Sequence, residues 1–538
     1  MSELDYVAHG WWSAVPVGEM VRRHAAERPD APAYIGTSTT LTWREYDAAG
    51  DRLAGLLTGL GLERGDRVAV FLPDGPWLHA MYLAGERAGV VLVGIPDRAG
   101  DRELAHLVAR TGAVLLVCPS RHRGRDAAEV AAVVRAAGVA LPRFAELAAD
   151  GTLTCYREDG VESVLARVPG PGRQLGPGEL WLLNSTSGTT GLPKCVRQTQ
   201  NRWMYLLSQA ALASDLGPDD IMMSLVPGPF GFGLWTAHFA PAVFGIPCVL
   251  PERFDAVAAL RAAAEHRVSV LGCVTTQFQM MLASPVLDEV DLSALRVLYT
   301  GGEAVPAARA REWERRTEST VLQFYGSNEI GPFSCTALSD PEERRLGTVG
   351  RVVAGLDVRL YDEHGADVTA TGGPGQPGGR GPGVVGGGYW EDDAANAALF
   401  SPDGYLLMPD LVTIDSDGYV RIAGRKSDII IRGGKNNSAA AVESDVGRHP
   451  AVDMVAAIPV PDPIFGERVC AVVSLRDPAG SLELAELVSF LAAGGVGKEY
   501  FPEHLVVLDE LPQSMGGKIA KSELKKLVAE RLAAQLGE

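Results

Sequence analysis

A short apolar run, Glu179-Leu180-Trp181-Leu182-Leu183, breaks into Asn184-Ser185-Thr186-Ser187-Gly188-Thr189-Thr190-Gly191-Leu192-Pro193-Lys194. The first part reads as a buried strand. The second cannot extend it, because glycines, hydroxyl side chains and a proline favour a turn. Gly188 and Gly191 allow backbone N–H groups to come close to a ligand. Thr186, Ser187, Thr189 and Thr190 add hydroxyl donors, and Lys194 adds a positive point charge. Such a loop suits a polyphosphate. It is not the Walker loop, in which Lys-Ser/Thr directly follows the second Gly of G-x-x-x-x-G. Here Leu192 and Pro193 intervene, and Cys195 follows the lysine.

The surrounding pattern alternates strands with helices. Leu41-Thr42-Trp43-Arg44-Glu45 opens a helix running to about Leu60, with Thr42 as N-cap and Glu45 three residues on. Strand patterns follow at 68–72, 90–93, 268–274 and 295–299, with a helix over 77–88 between the first two. This rhythm predicts an α/β fold of mostly parallel sheets covered by helices. A chain of 538 residues exceeds one compact core. Gly and Pro crowd together between 372 and 388, and a smaller α+β unit of about 110 residues begins after Arg425. The expected organisation is a large N-terminal domain of several subdomains over 1–424, a hinge at 425–427, and a small mobile C-terminal domain over 428–538. Two G-x-G-x-x-G matches, at 373–378 and 381–386, are interrupted by proline and neither joins a strand to a helix, so no dinucleotide fingerprint is read there.

The net charge of −18 argues against a general nucleic-acid or anionic-membrane surface. The seven cysteines are scattered, with no C-x-x-C pair, which suits a reducing cytoplasm rather than disulfides or zinc. No apolar run approaches a membrane span, and the acidic N-terminus lacks a signal-peptide core. The expectation is a cytoplasmic monomer or homodimer acting on small molecules.

Five further segments stand in order along the chain. They are Leu41–Glu45 with Gly65-Asp66-Arg67, Leu298-Tyr299-Thr300-Gly301-Gly302-Glu303, Gln323-Phe324-Tyr325-Gly326-Ser327-Asn328-Glu329, Tyr405–Leu411 with Gly418-Tyr419, and Leu511-Pro512 through Gly517-Lys518-Ile519. With the 184–194 loop, the set resembles the superfamily of adenylate-forming enzymes that includes acyl-CoA synthetases, firefly luciferase and peptide-synthetase adenylation domains. The resemblance covers essentially the whole chain. It implies that a carboxylate attacks the α-phosphorus of ATP and displaces pyrophosphate, and that CoA then takes the acyl group.

The resemblance also assigns roles. Glu329 would hold Mg²⁺, Tyr325 would stack on adenine, and Asp410 would accept bonds from the ribose hydroxyls. Arg425 would contact ribose or the α-phosphate. Gly301, Gly302, Glu303, Gly326, Ser327 and Asn328 would complete the nucleotide site with the 186–191 loop and Lys194. Lys518 would reach the substrate carboxylate and α-phosphate from the small domain, carried on a loop that Gly516-Gly517 leaves free to close. Phe230, Phe232, Gly233, Trp235, Thr276 and Gly302 would wall the acid pocket, with Phe278 as a further flat wall. These aromatic residues point to an aromatic or cyclic acid.

The chain departs from the superfamily pattern at several places. Cys195 replaces a Gly, Phe230 a His, Asn328 a Thr, and Met408-Pro409 a Thr-Gly; Ser427 stands at the hinge, and the segment 274–277 is polar. These departures keep alternatives open: transfer to a carrier protein, nitrite-dependent diazotisation of an aryl amine, or a relative that binds nucleotide without turnover. Lys518 discriminates the last of these. Lys518→Ala is expected to cost about 3–4 kcal/mol in the adenylation transition state, a roughly 10²–10³-fold loss. Acid-dependent pyrophosphate exchange measures it.

Overall fold

The computed structural model describes the chain except residues 1–2, 158–159, 186–191, 303–304, 426–428, 433–434, 463–465, 495, 497, 514–518 and 537–538. Among the described residues two large sheets dominate. The first has nine strands, in the order Arg351–Val352, Gly331–Cys335, Thr320–Ser327, Val297–Gly301, Val270–Gly272, Met222–Ser224, Cys248–Leu250, Pro32–Gly36 and Thr40–Thr42. Its centre, from Thr320–Ser327 to Pro32–Gly36, is parallel, and its edges are antiparallel. The second has eight strands, in the order Gly160–Glu162, Leu153–Arg157, Phe144–Leu147, Leu115–Pro119, Arg67–Val70, Val91–Gly94, Leu182–Ser185 and Cys195–Gln198. It is likewise parallel in the centre.

Both sheets are buried on both faces, which is why their strands read as near-continuous apolar runs. Met222 belongs to the core between the sheets, while its neighbour Met223 faces the outer helices. Val297 and Tyr299 alternate with Leu298 in the same way. The inner core takes in helices Trp43–Gly59 and Pro76–Ala88. The outer face of the nine-stranded sheet is covered by Ala256–Glu265 and Ala307–Thr317.

The expected elements appear with shifts of one or two residues at most ends. The helix over 77–88 is Pro76–Ala88, the strand over 295–299 is Val297–Gly301, and the run at 179–183 pairs over Leu182–Ser185. The Thr42 cap forms as read: its side chain accepts from the Glu45 N–H at 3.3 Å, and Glu45 accepts from the Thr42 N–H at 2.9 Å. The Gly/Pro-rich segment contributes strand Gln376–Arg380 to a three-stranded antiparallel sheet, so its glycines serve strand packing rather than a dinucleotide.

Beyond the Asp410–Ile414 and Val420–Arg425 hairpin lies a smaller α+β unit. Its described strands are Lys435–Ser438, Ile429–Arg432, Gly466–Leu475 and Val452–Asp462, with His504–Val507 running parallel to Gly466–Leu475. Helix Ala439–Val446 covers one face and Lys521–Leu536 the other. Among the described residues no helix is long and apolar enough to cross a membrane, and the seven cysteines are free.

Thr42→Ala removes one half of the capping box. It is expected to destabilise the large domain by about 1 kcal/mol, seen as a lower denaturation midpoint with an unchanged adenylation rate per folded molecule.

Candidate active site

In open parallel sheets, ligands bind beyond the carboxyl ends of the strands. Four neighbouring strands of the nine-stranded sheet end at one place. Met222–Ser224 leads to Val226, Val270–Gly272 to Val274, Val297–Gly301 to Gly302, and Thr320–Ser327 to Asn328. These residues line a cavity of about 150 Å³ together with Phe230, Phe232 and Trp235. Helix Gln200–Ser214 closes it with Trp203 and Leu206. A widened π turn, Leu234–Phe239, follows the Gly231–Gly233 helical turn and carries Trp235 into the wall. Gly233 has to lack a side chain, because an added Cβ would overlap the carbonyl oxygens of Pro227 and Val226.

The expected pocket walls sort into two groups. Phe230, Phe232, Gly302 and Trp235 line the cavity, and Gly233 shapes the turn beside it. Phe230 packs on Val226 and Val274. Phe278 does not take part: helix Thr275–Ala283 turns it into the outer core, where it meets Trp313 edge-on at 6.1 Å. Thr276 is buried outside the cavity lining, and Val274 represents that segment instead. The polarity of 274–277 also has a structural use. Gln277 Oε1 accepts from the Val274 N–H at 3.0 Å, and its Nε2 donates to Leu225 O at 2.8 Å.

The nucleotide candidates converge from distant parts of the chain. The Tyr325 hydroxyl donates to Asp410 Oδ2 at 2.8 Å. Asp410 pairs with Arg425 in the strand register. Gly326 sits where an added Cβ would overlap Gly331 O, and Gly301 where one would overlap Phe324 O. Ser327 Oγ accepts from the Glu329 N–H at 3.2 Å, turning the chain so that the carboxylate leaves the strand end. Asn328 Oδ1 accepts from Asn184 Nδ2 at 3.2 Å, tying the acid's loop to the base of the 184–194 turn. That turn joins two antiparallel strands, Leu182–Ser185 and Cys195–Gln198, rather than a strand and a helix. Thr186, Ser187, Gly188, Thr189, Thr190, Gly191, Glu303 and Lys518 lie outside the described residues, as do hinge residues 426–427.

Two residues of the site escaped the sequence reading. The Tyr389 hydroxyl donates to Glu329 Oε1 at 2.8 Å, and the Lys194 ammonium lies 4.7 Å from the Tyr389 ring centroid. One tyrosine therefore touches both the metal-binding candidate and the loop lysine. Burial and the Glu329 charge raise the Tyr389 pKa, so the phenol remains a donor. The second is Arg202, which is 4% exposed. It donates to the carbonyls of Asn328, Glu329 and Gly383, each at 2.8 Å, and to Gln198 Oε1. Burial pushes its pKa down to about 9, opposed by Glu329, and it stays charged at neutral pH. The sequence signal for Arg202 was its place in a polar run opening an otherwise apolar helix. Tyr389 had no local signal.

Cys195 lies with its side chain in the core on the outer face of the eight-stranded sheet, 1% exposed, and burial pushes the thiol up to about 12. It is a packing residue rather than a nucleophile.

The sequence matches the AMP-binding enzyme family over residues 21–390 and the AMP-binding enzyme C-terminal domain over 441–518. The chain belongs to the AMP-binding enzyme family. Its relatives include the medium-chain fatty-acid–CoA ligase of Escherichia coli, 30% identical over 99% of this chain and 94% of that one. The indoleacetate–CoA ligase of Aromatoleum aromaticum is 31% identical over 96% of this chain and 98% of its own. The ATP-bound structure of MatB from Rhodopseudomonas palustris superposes with a TM-score of 0.81 at 26% identity, covering 95% of this chain and 98% of that one. As an AMP-binding enzyme the chain is an adenylate-forming ligase, and the two relatives above are named for joining an acid to CoA.

Tyr389→Phe removes a hydrogen bond to a charged acceptor and leaves the ring under Lys194. About 1.5–3 kcal/mol is at stake, so a fall in kcat of roughly ten-fold or more is expected. The KM for the acid should stay unchanged, and steady-state kinetics across acid concentrations separates the two.

Proposed function

We propose that this enzyme joins a single-ring aromatic or alicyclic carboxylic acid to CoA. The observation that carries the reading is the cavity itself. Its volume is about 150 Å³, and its described lining is mostly aromatic and aliphatic, with Tyr325, Ser327 and Asn328 as polar side chains and no charged one. Apolar cavities of about this size bind benzene. A long alkyl chain would outrun this space, and an ionised substituent on the ring would be buried without a partner.

Both reactants are anions, so the site has to offset their repulsion and stabilise charge in the transition state. Glu329 is suited to Mg²⁺. This ion takes one or two carboxylates and leaves its other positions to water and phosphate. Among the described residues no group of three His, Cys, Asp or Glu could form a protein cage around it. When bound, Mg²⁺ neutralises charge on the phosphate oxygens. Tyr389 fixes the Glu329 carboxylate through its hydroxyl, and Lys194 adds positive charge 4.7 Å from the ring centroid. Tyr325, Asp410 and Arg425 take adenosine. Lys518 meets the α-phosphate when the small domain closes about a hinge at 425–427.

A carboxylate oxygen attacks the α-phosphorus and the bond to the departing pyrophosphate oxygen breaks. The CoA sulfur, having lost its proton to solvent, then attacks the acyl carbon, and the acyl–oxygen bond breaks to release AMP. A carrier-protein thiol would enter the same second step. The apolar environment of Phe230 serves the ring of the acid rather than proton transfer.

The test is ATP consumption and pyrophosphate release across a panel of aryl, alicyclic and linear acids, with and without CoA. A parallel set contains nitrite with aryl amines. CoA-dependent turnover of single-ring acids, above linear acids of equal carbon number, is the expected result. Turnover confined to nitrite with an amine, or to long linear acids, overturns the reading.

A further inference from the structure

We infer that Arg202, Gln198 and Asn184 form a one-way amide relay that turns the NH2 end of Asn328 toward the cavity, where it donates to an anionic oxygen of the reacting pair. This rests on the adenylation of a carboxylic acid by ATP and is independent of the ring that the acid carries. A side-chain amide has a donor end and an acceptor end, and its neighbours decide which way round it sits. A guanidinium has donors only, so Gln198 turns its oxygen to Arg202. Gln198 Nε2 then donates to Asn184 Oδ1 at 2.8 Å and to Asn328 O at 3.1 Å. With its oxygen taken, Asn184 donates through Nδ2 to Asn328 Oδ1 at 3.2 Å. Gln198 and Asn184 are fully buried, so neither can reverse by turning to water. The polarity set at the cation is passed on unchanged, and the open end of the series is Asn328 Nδ2.

That end belongs to the site. Asn328 is half-buried and lines the cavity beside Ser327 and Gly231. Its side chain lies against Gly231, where an added Cβ would fall 2.4 Å from Oδ1. Nδ2 bonds to no described residue, yet it is not closed off as Trp203 Nε1 and the Thr300 hydroxyl are.

The relay also accounts for asparagine at a position where the superfamily pattern has threonine. A hydroxyl rotates and can be donor or acceptor as the ligand requires. An amide turned the wrong way would set an oxygen against an anionic oxygen. Anchored by the relay, Asn328 offers only its donor end. Amides aligned in series polarise one another, with the positive end here toward the cavity. Arg202 itself is spent on the carbonyls of Asn328, Glu329 and Gly383 and does not enter the chamber. Its effect is delivered as a fixed donor, which stabilises developing charge without reorganising. Arg202, Gln198 and Asn184 are positioning residues, and Asn328 is the group that touches the anion.

The test is Asn184→Asp, which keeps the oxygen that Gln198 uses and replaces the donor facing Asn328 with an acceptor. Asn328 then has to turn its NH2 end inward and show Oδ1 to the cavity. Calorimetry on the full-length enzyme compares AMP with adenosine, and benzoate with benzamide; each pair differs by the anionic group. The same four ligands are measured in Asn328→Thr and in the double variant. Asn184→Asp should weaken AMP by about ten-fold or more and leave adenosine within about two-fold. A loss confined to benzoate over benzamide equally supports the relay and names the carboxylate as the oxygen held. In the Asn328→Thr background, where a hydroxyl can rotate, the same substitution should cost less than about three-fold. An equal loss in both backgrounds is the added charge acting through space and overturns the inference. So does a loss of neither preference, or an equal fall for adenosine. A native enzyme that binds no AMP would sink the adenylation reading as well. Should Asn184→Asp not fold, the side-chain amide ¹⁵N spectrum of the native enzyme decides. The NH2 pair that vanishes in Asn328→Thr has to shift with AMP or benzoate and not with adenosine or benzamide, and its failure to shift overturns the inference.

Discussion

The site depends on one buried cation. Arg202 donates to the carbonyls of Asn328, Glu329 and Gly383 and to Gln198 Oε1, which joins segments more than a hundred residues apart. Gln198 belongs to the edge of the eight-stranded sheet, while Asn328 and Glu329 follow the strand Thr320–Ser327 of the nine-stranded one. Gln198 Nε2 adds bonds to Asn184 Oδ1 at 2.8 Å and to Asn328 O at 3.1 Å. The end of one sheet is thereby registered against the end of the other. A planar guanidinium suits this position because its donors have fixed directions; a lysine could not satisfy the same set. The desolvation that lowers its pKa is offset by the carbonyl dipoles and by Glu329.

That registration sets the electrostatics of the reaction centre. Glu329, Tyr389 and Lys194 meet at one ring: the phenol donates to the carboxylate from its edge, and the ammonium lies 4.7 Å from the ring centroid. One tyrosine thus contacts both the carboxylate and the ammonium. Under the adenylation reading, the carboxylate would serve a divalent ion and the ammonium would serve phosphate oxygens, as pre-organised charge for phosphoryl chemistry.

Local features were legible in the sequence, and long-range ones were not. The Thr42–Glu45 cap, the strand at 297–301 and the hairpin base at 182–185 follow from spacing and from residues next to each other. Glu329, Tyr325 and Asp410 were picked out by their motifs, and the structure brings the Tyr325 hydroxyl onto Asp410 at 2.8 Å. Tyr389 was missed because its partners are 60 and 195 positions away, inside a Gly-rich stretch whose own pattern says only turn and strand. Gln277 was read as pocket polarity, whereas it caps its own helix and holds Leu225. Phe278 was read as a wall because it is aromatic and near the right segment. Phe278 lies one turn into the helix that Val274 caps, and its side chain packs in the outer core against Trp313.

The departures from the superfamily pattern separate along the same line. Cys195 is spent on the outer core, Met408 is 2% exposed in packing, and Asn328 holds Asn184. Cys195 and Met408 are thereby packed away from the cavity, while Asn328 both holds Asn184 and lines it. Phe230 is different, since it both packs on Val226 and Val274 and forms cavity wall. A histidine there would bring a titratable group and a hydrogen-bonding demand into an apolar chamber, whereas phenylalanine removes both.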